Sequence, residues 1–187
     1  MSSLLVIFHL VGVALGAGGA YLSDLLFFQS IKNRHISQTE LRFLSLGSRM
    51  VWVGLFILIF SGLGLFLLDT DKYLASSKFL AKMSIVAVIF FNGLLFEFIH
   101  FGNLRFHAGK RLHSLERFMA KSPWLMISGI VSVTSWSFAL VLGSLSSVPY
   151  SYSEIMVFYG LVILVITSSS MIYLNAKGLL GKLKGYC

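Results

Sequence analysis

The stretch MVWVGLFILIFSGLGLFLL, residues 50–68, contains 19 residues and no charge. As an α-helix with a rise of about 1.5 Å per residue it spans about 28 Å, close to the roughly 30 Å of a bilayer's hydrocarbon core. Because lipid offers no hydrogen-bond partner, a segment that crosses it must satisfy its own backbone N–H and C=O groups as a helix. The stretch therefore predicts a transmembrane helix.

Four further apolar stretches extend this prediction to the whole chain. They cover residues 4–28, 79–99, 124–145 and 155–174. Of the 187 residues, 57% are hydrophobic and 12% are charged, whereas a soluble domain carries about 25% charged residues. We expect an all-α integral membrane protein in which residues 1–187 form one domain, a bundle of five transmembrane helices.

The charges of the connectors predict an orientation. The first and third connectors and the C-terminal tail are rich in lysine and arginine, whereas the connector after the fourth stretch contains neither. Lys and Arg concentrate in cytoplasmic loops, so the N-terminus is expected outside and the C-terminus inside. The net charge of +8 is spread over separate connectors, which indicates attraction to anionic lipids at the cytoplasmic face rather than binding of nucleic acid.

Two cytoplasmic connectors are expected to contain amphipathic helices. Ser37 and Glu40 have the spacing of a capping box, which predicts a helix over residues 38–46 that stops at Gly47. In residues 108–120, apolar residues recur at helical spacing among basic ones. That pattern is typical of a helix at the membrane surface, with docking of a partner protein as the alternative.

Stripes of small residues occur on the first and fourth predicted helices. Each stripe falls on one side of its helix, and the members are Gly12, Gly16 and Gly19 on the first and Ser128, Ser132 and Ser135 on the fourth. Small residues allow helix backbones to approach closely within a membrane. The glycine stripe indicates that the first helix lies at the centre of the bundle.

Several polar residues fall inside the predicted spans, where an unpaired charge costs several kcal/mol. They are His9, Asp24, Lys82, Asn92, Glu97 and His100. His9 and Lys82 share the outer third, whereas Asp24 shares the inner third with Glu97 and His100. Two polar clusters are therefore expected, one near each surface. Two structural roles are the alternatives to functional clusters. Asp24 could form an ion pair with Arg49, and the other charged side chains could extend to the membrane interface.

Two cofactors suit the chemistry of His9, the only histidine well inside a predicted span. It suits a haem held by a single histidine or shared across a dimer, because no second histidine of the chain lies at its depth. Copper(I) prefers thioether and imidazole ligands, and His9, Met83 and Met156 lie near the predicted outer surface on three helices. No catalytic motif of a soluble enzyme occurs, so we do not expect an enzyme.

Three segments resemble small bacterial inner-membrane proteins that are distantly similar to the superfamily of CopD copper-resistance proteins and cytochrome b561. They are His9-Leu-x-Gly, residues 48–66 and residues 79–93, and SWSFALVLGSL at residues 135–145 is similar to the second half of the same group. The CopD-like features fall on His9, Arg49, Ser61–Gly62, Phe79 and Lys82. The resemblance implies a multi-pass protein of the bacterial inner (cytoplasmic) membrane that takes up copper or carries electrons through haem. The chain departs from the b561 pattern, since it lacks several membrane histidines.

Three functions are consistent with these features. The first is transport or copper handling through the outer polar site at His9 and Lys82. The second is haem-based membrane redox chemistry that uses His9. The third is a structural or accessory subunit whose small-residue stripes bind other helices, in a homo-oligomer or with other membrane subunits.

Overall fold

The computed structural model describes residues 2–33, 38–101 and 122–176, and within these ranges it contains helices and no strand. This confirms the all-α prediction. A π-helical turn, Phe96–Phe101, continues the fourth helix directly. The helices, in chain order, are α1 (Ser2–Asn33), α2 (Gln38–Leu68), α3 (Thr70–Leu74), α4 (Ser77–Leu95), α5 (Ser122–Ser144) and α6 (Tyr152–Ala176).

Five of these helices are long and apolar enough to cross a membrane, as the sequence predicts. The candidate spans are Ser3–Leu26, Gln38–Leu68, Ser77–Phe98, Met126–Ser144 and Tyr152–Tyr173. Large apolar side chains cover their outward faces, for example Phe60, Phe158 and Leu164, each at least 60% exposed. Soluble monomers rarely expose large contiguous apolar patches, so this surface suits lipid rather than water.

Helix α2 differs from the expected break, because it continues unbroken past Gly47 to Leu68. Gly47 faces α1, where an added Cβ atom would collide with the Ser23 side chain and lie 3.1 Å from the Gly19 carbonyl oxygen. Gly47 therefore marks a close helix contact rather than a helix end. The predicted helix over residues 108–120 lies outside the described residues.

The glycine stripe of α1 lies in the contact with α2. A Cβ atom on Gly12 would lie 3.0 Å from the Gly54 carbonyl oxygen, and one on Gly19 would lie 2.9 Å from the Gly47 carbonyl oxygen. A Cβ atom on Gly54 would collide with the backbone of Gly16. Glycines on both helices are thus required for the short distance between the two backbones.

Helix α5, rather than α1, is the most buried of the five candidate spans. It packs against α1, α4 and α6, and its Trp136 side chain is only 2% exposed. The indole fits against Gly16 of α1, where a Cβ atom would collide with the ring. The glycine stripe therefore serves two neighbours, with α2 on one side and Trp136 of α5 on the other.

A buried hydroxyl pair joins α5 to α6. Ser135 Oγ donates to the Val131 carbonyl oxygen, so it accepts from the Tyr159 hydroxyl, 2.7 Å away.

The Tyr159→Phe variant should be destabilised by about 0.6 kcal/mol and by no more than about 1.7 kcal/mol, the range for hydrogen bonds between membrane helices. Thermal unfolding in detergent measures this loss, with Tyr150→Phe at an exposed position as the control. Equal stability of the two variants would contradict it.

Candidate functional site

Three helices converge on His9. Its Nδ1 atom lies 3.0 Å from Ser61 Oγ of α2, and its Nε2 atom lies 3.3 Å from Lys82 Nζ of α4. Gly62 leaves room for the ring, since a Cβ atom there would lie 3.6 Å from His9 Cε1. The structure thus brings together His9 and Lys82. These are the two residues that the sequence places at the same depth in the membrane.

The hydrogen bonds of this site determine which atoms donate. The Ser61 hydroxyl donates its one hydrogen to the Ile57 carbonyl oxygen at 2.6 Å, so it accepts from His9 Nδ1–H. A neutral imidazole that donates from Nδ1 presents a lone pair at Nε2. Lys82 donates to that lone pair, and the positive charge of the site resides on Lys82.

Lys82 has no counter-charge in the described part of the chain. The charged group that acts on it electrostatically is Lys78, one turn away on the same helix. Lys78 donates to the carbonyl oxygens of Leu145 and Ser146, just beyond the end of α5, at 2.7 and 3.3 Å. Helix C-termini favour such cations, and the Lys82 ammonium also lies in the last turn of α5, beside Gly143, as well as beside His9.

A second polar group lies toward the other end of the bundle, where Asp24 is located. Asn92 of α4 donates to the Ser128 carbonyl oxygen at 3.0 Å and accepts from the Ser128 hydroxyl at 2.9 Å. Ser48 of α2 donates to Glu97 at 2.8 Å. Of the predicted inner cluster, the His100 side chain lies outside the described residues. We call these two regions the His9 end and the Asp24 end.

The ion pair considered between Asp24 and Arg49 does not form. Arg49 is exposed on α2, because the face of α2 that meets α1 carries Gly47 and Gly54. The Asp24 carboxyl group faces Ser132 of α5 instead. Asp24 is therefore partly buried among hydroxyl and amide groups and has no cation beside it in the described ranges.

His9, the predicted copper and haem ligand, uses both of its ring nitrogens in contacts with protein groups. Both ring nitrogens are hydrogen-bonded, so copper or haem iron at Nε2 would have to displace the Lys82 ammonium. Met83 is 52% exposed on α4, whereas Met156 packs against the core.

Sequence reasoning named Ser61 only as a CopD-like feature and did not predict its contact with His9, and it missed Ser48 and Trp136. The depth of Ser61 in the membrane could have indicated its contact with His9. Ser61 lies seven residues before the end of the stretch 50–68, and His9 lies five residues after the start of the stretch 4–28. In antiparallel helices those positions share a depth. Nothing in the sequence singles out Ser48 or Trp136, whose roles depend on the faces that meet.

No protein-family model, no curated protein and no solved structure matches this chain. A functional proposal therefore rests on the geometry of the two polar regions.

Proposed function

We propose that the protein carries protons across a membrane and that the His9–Lys82 pair is the proton-exchanging group near one surface. The observation that supports this most directly is the 3.3 Å contact between Lys82 Nζ and His9 Nε2, inside candidate spans and without a carboxylate partner in the described residues. Ionisable side chains in such positions are costly, and they are typical of ion pathways and proton relays.

The chemistry of the pair suits proton exchange. A proton that moves from Lys82 Nζ to His9 Nε2 leaves a neutral amine and an imidazolium. The imidazolium still donates from Nδ1 to Ser61, so the hydrogen bonds survive the transfer. Loss of a proton from either nitrogen to water leaves the pair neutral, and uptake of a proton restores it.

We further propose an orientation and a location. The basic first and third connectors and tail favour a cytoplasmic C-terminus and contact with anionic lipids there. The resemblance to CopD-like proteins favours a bacterial inner membrane. A fluorescent reporter fused after Cys187 should fluoresce, whereas alkaline phosphatase fused at the same place should be inactive. Active phosphatase would contradict this orientation.

Proton flux into liposomes tests the proposed function. Liposomes that contain the purified protein and a trapped pH-sensitive dye receive an inside-negative potential from a potassium gradient and valinomycin. We expect faster acidification than in empty liposomes, and much slower acidification with the His9→Phe variant. Met83→Leu, which changes an exposed neighbour of the site, is the control and should match the unaltered protein. Acidification no faster than in empty liposomes would contradict the proposal.

An absorption spectrum with metal analysis tests the copper and haem predictions. Because Lys82 engages His9 Nε2, we expect purified protein without a Soret band and without stoichiometric copper. Copper that is retained by the unaltered protein and lost from both His9→Ala and Met83→Ala would favour copper handling instead.

A further inference from the structure

The Asp24 end contains a cavity of about 60 Å³ between α1, α2, α4 and α5. Its polar lining consists of Ser23, Asp24, Ser48, Asn92, Ser128 and Ser132. A water molecule needs about 10–15 Å³ of such volume and two to four polar partners. The cavity therefore has the size and the lining to hold several water molecules.

Two buried atoms at this cavity lack a partner. Asp24 Oδ2 and Ser23 Oγ are shielded from solvent and form no hydrogen bond. Buried polar atoms in folded proteins are nearly all hydrogen-bonded. Where no protein group is the partner, an ordered water molecule is. Water in the cavity would satisfy both atoms.

Asp24 is the only ionisable residue that lines this cavity in the described part of the chain. In the π-helical turn that follows α4, Glu97 accepts from Ser48, which itself lines the cavity. On α2, Arg49 is exposed, and the side of α5 that meets the cavity presents Ser128, Ser132 and Trp136. The cavity is therefore the nearest polar path for a proton on Asp24. Glu97 lies beyond the cavity and contacts it through the Ser48 hydroxyl.

A second cavity, of about 20 Å³, lies beside Lys82 and is otherwise lined by apolar residues. Ile89 and Trp136 line both cavities, so these two side chains form the wall between them. Trp136 is fixed in that place because its indole abuts Gly16. The order along the bundle is the His9–Lys82 pair, the small cavity, the Ile89–Trp136 wall and the cavity at Asp24.

We propose that the cavity at Asp24 is hydrated and that Asp24 is the second proton-exchanging group of the protein. The proposal rests on the proposed function. Water takes the proton that Lys82 Nζ or His9 Nε2 releases, carries it as hydronium past the side chains of Ile89 and Trp136, and delivers it to Asp24 Oδ2. The carboxylate becomes a carboxylic acid and the basic pair becomes neutral, so the charge on each side falls to zero. Asp24 then releases the proton to cavity water toward Glu97 and the nearby surface.

Proton flux in liposomes distinguishes this inference from the proposed function. Asp24→Asn should reduce potential-driven proton uptake at least about tenfold, while Asp71→Asn, at an exposed position in α3, should leave it unchanged. Uptake by Asp24→Asn equal to that of the unaltered protein would overturn the role of Asp24 and leave the proposed function standing. Uptake by the unaltered protein equal to that of empty liposomes would overturn the proposed function.

An infrared measurement tests Asp24 without replacing it. The sequence has three aspartates, Asp24, Asp69 and Asp71, so the double variant Asp69→Asn/Asp71→Asn, labelled with ¹³C-aspartate, carries one labelled aspartate side chain. We expect its labelled carboxylic acid band to appear and disappear with pH and to shift in D₂O, as a hydrated, exchanging group requires. A labelled band that ignores both pH and D₂O would overturn the inference, whatever the flux.

Discussion

Lys82→Met is expected to slow potential-driven proton uptake about a hundredfold, or to the leak of empty liposomes. The change keeps most of the length of the side chain and removes the ammonium, so His9 Nε2 loses its donor at 3.3 Å. Removal of a positioned acid–base group typically reduces a proton-transfer rate by about 10²–10⁴. The initial rate of dye acidification measures the effect.

Lys78→Met is the matched control for this prediction. Lys78 lies one turn away on α4, and its exposed ammonium donates to carbonyl oxygens beyond the end of α5. The same charge is removed, but no contact with His9 is lost. We expect uptake close to that of the unaltered protein. Equal losses in the two variants would show that total charge, rather than the His9–Lys82 contact, controls the flux.

Gly54→Leu is expected to give the largest loss of stability among single substitutions at the helix contacts. A Cβ atom at Gly54 would collide with the Gly16 backbone and lie 2.7 Å from the Gly12 carbonyl oxygen, so α1 and α2 would have to separate. Overpacking costs about 1–3 kcal/mol where side chains can yield, and backbone atoms yield less. The fraction that stays monodisperse after heating, measured by gel filtration in detergent, should fall sharply.

Gly18→Leu is the control for that substitution. A Cβ atom at Gly18 would have no heavy atom within 4 Å, although Gly18 belongs to the same glycine-rich segment of α1. We expect the stability of this variant to equal or exceed that of the unaltered protein, because leucine favours a helix over glycine. A Gly54→Leu variant as stable as Gly18→Leu would contradict the close contact of α1 and α2.

The spans could be predicted from the sequence because length and apolar composition alone determine whether a helix can cross a membrane. The grouping of His9 with Lys82 was also accessible, since depth follows from position along each helix. Which helix faces meet, and therefore which residues become neighbours, could not be predicted. Arg49 has the charge and depth to pair with Asp24, yet it points away from α1.

Two local features also escaped prediction. The turn Phe96–Phe101 is π-helical, so the angular spacing of an α-helix no longer applies from Phe96 onward. Glu97, the second residue of this turn, reaches Ser48 of α2, whereas Lys82 of the same span reaches His9 of α1. The two cavities depend on how side chains of four helices meet around Trp136, which no single segment encodes.

Solid-state NMR of the ¹⁵N-labelled protein in lipid bilayers tests most directly whether His9 and Lys82 form the pair on which proton transport depends. The signals of His9 among the five histidines are assigned by their loss in His9→Gln. We predict a neutral ring that carries its proton on Nδ1, with Nε2 close enough to Lys82 Nζ to give a through-space correlation. A ring that carries its proton on Nε2, or the absence of any correlation with Lys82, would contradict the pair.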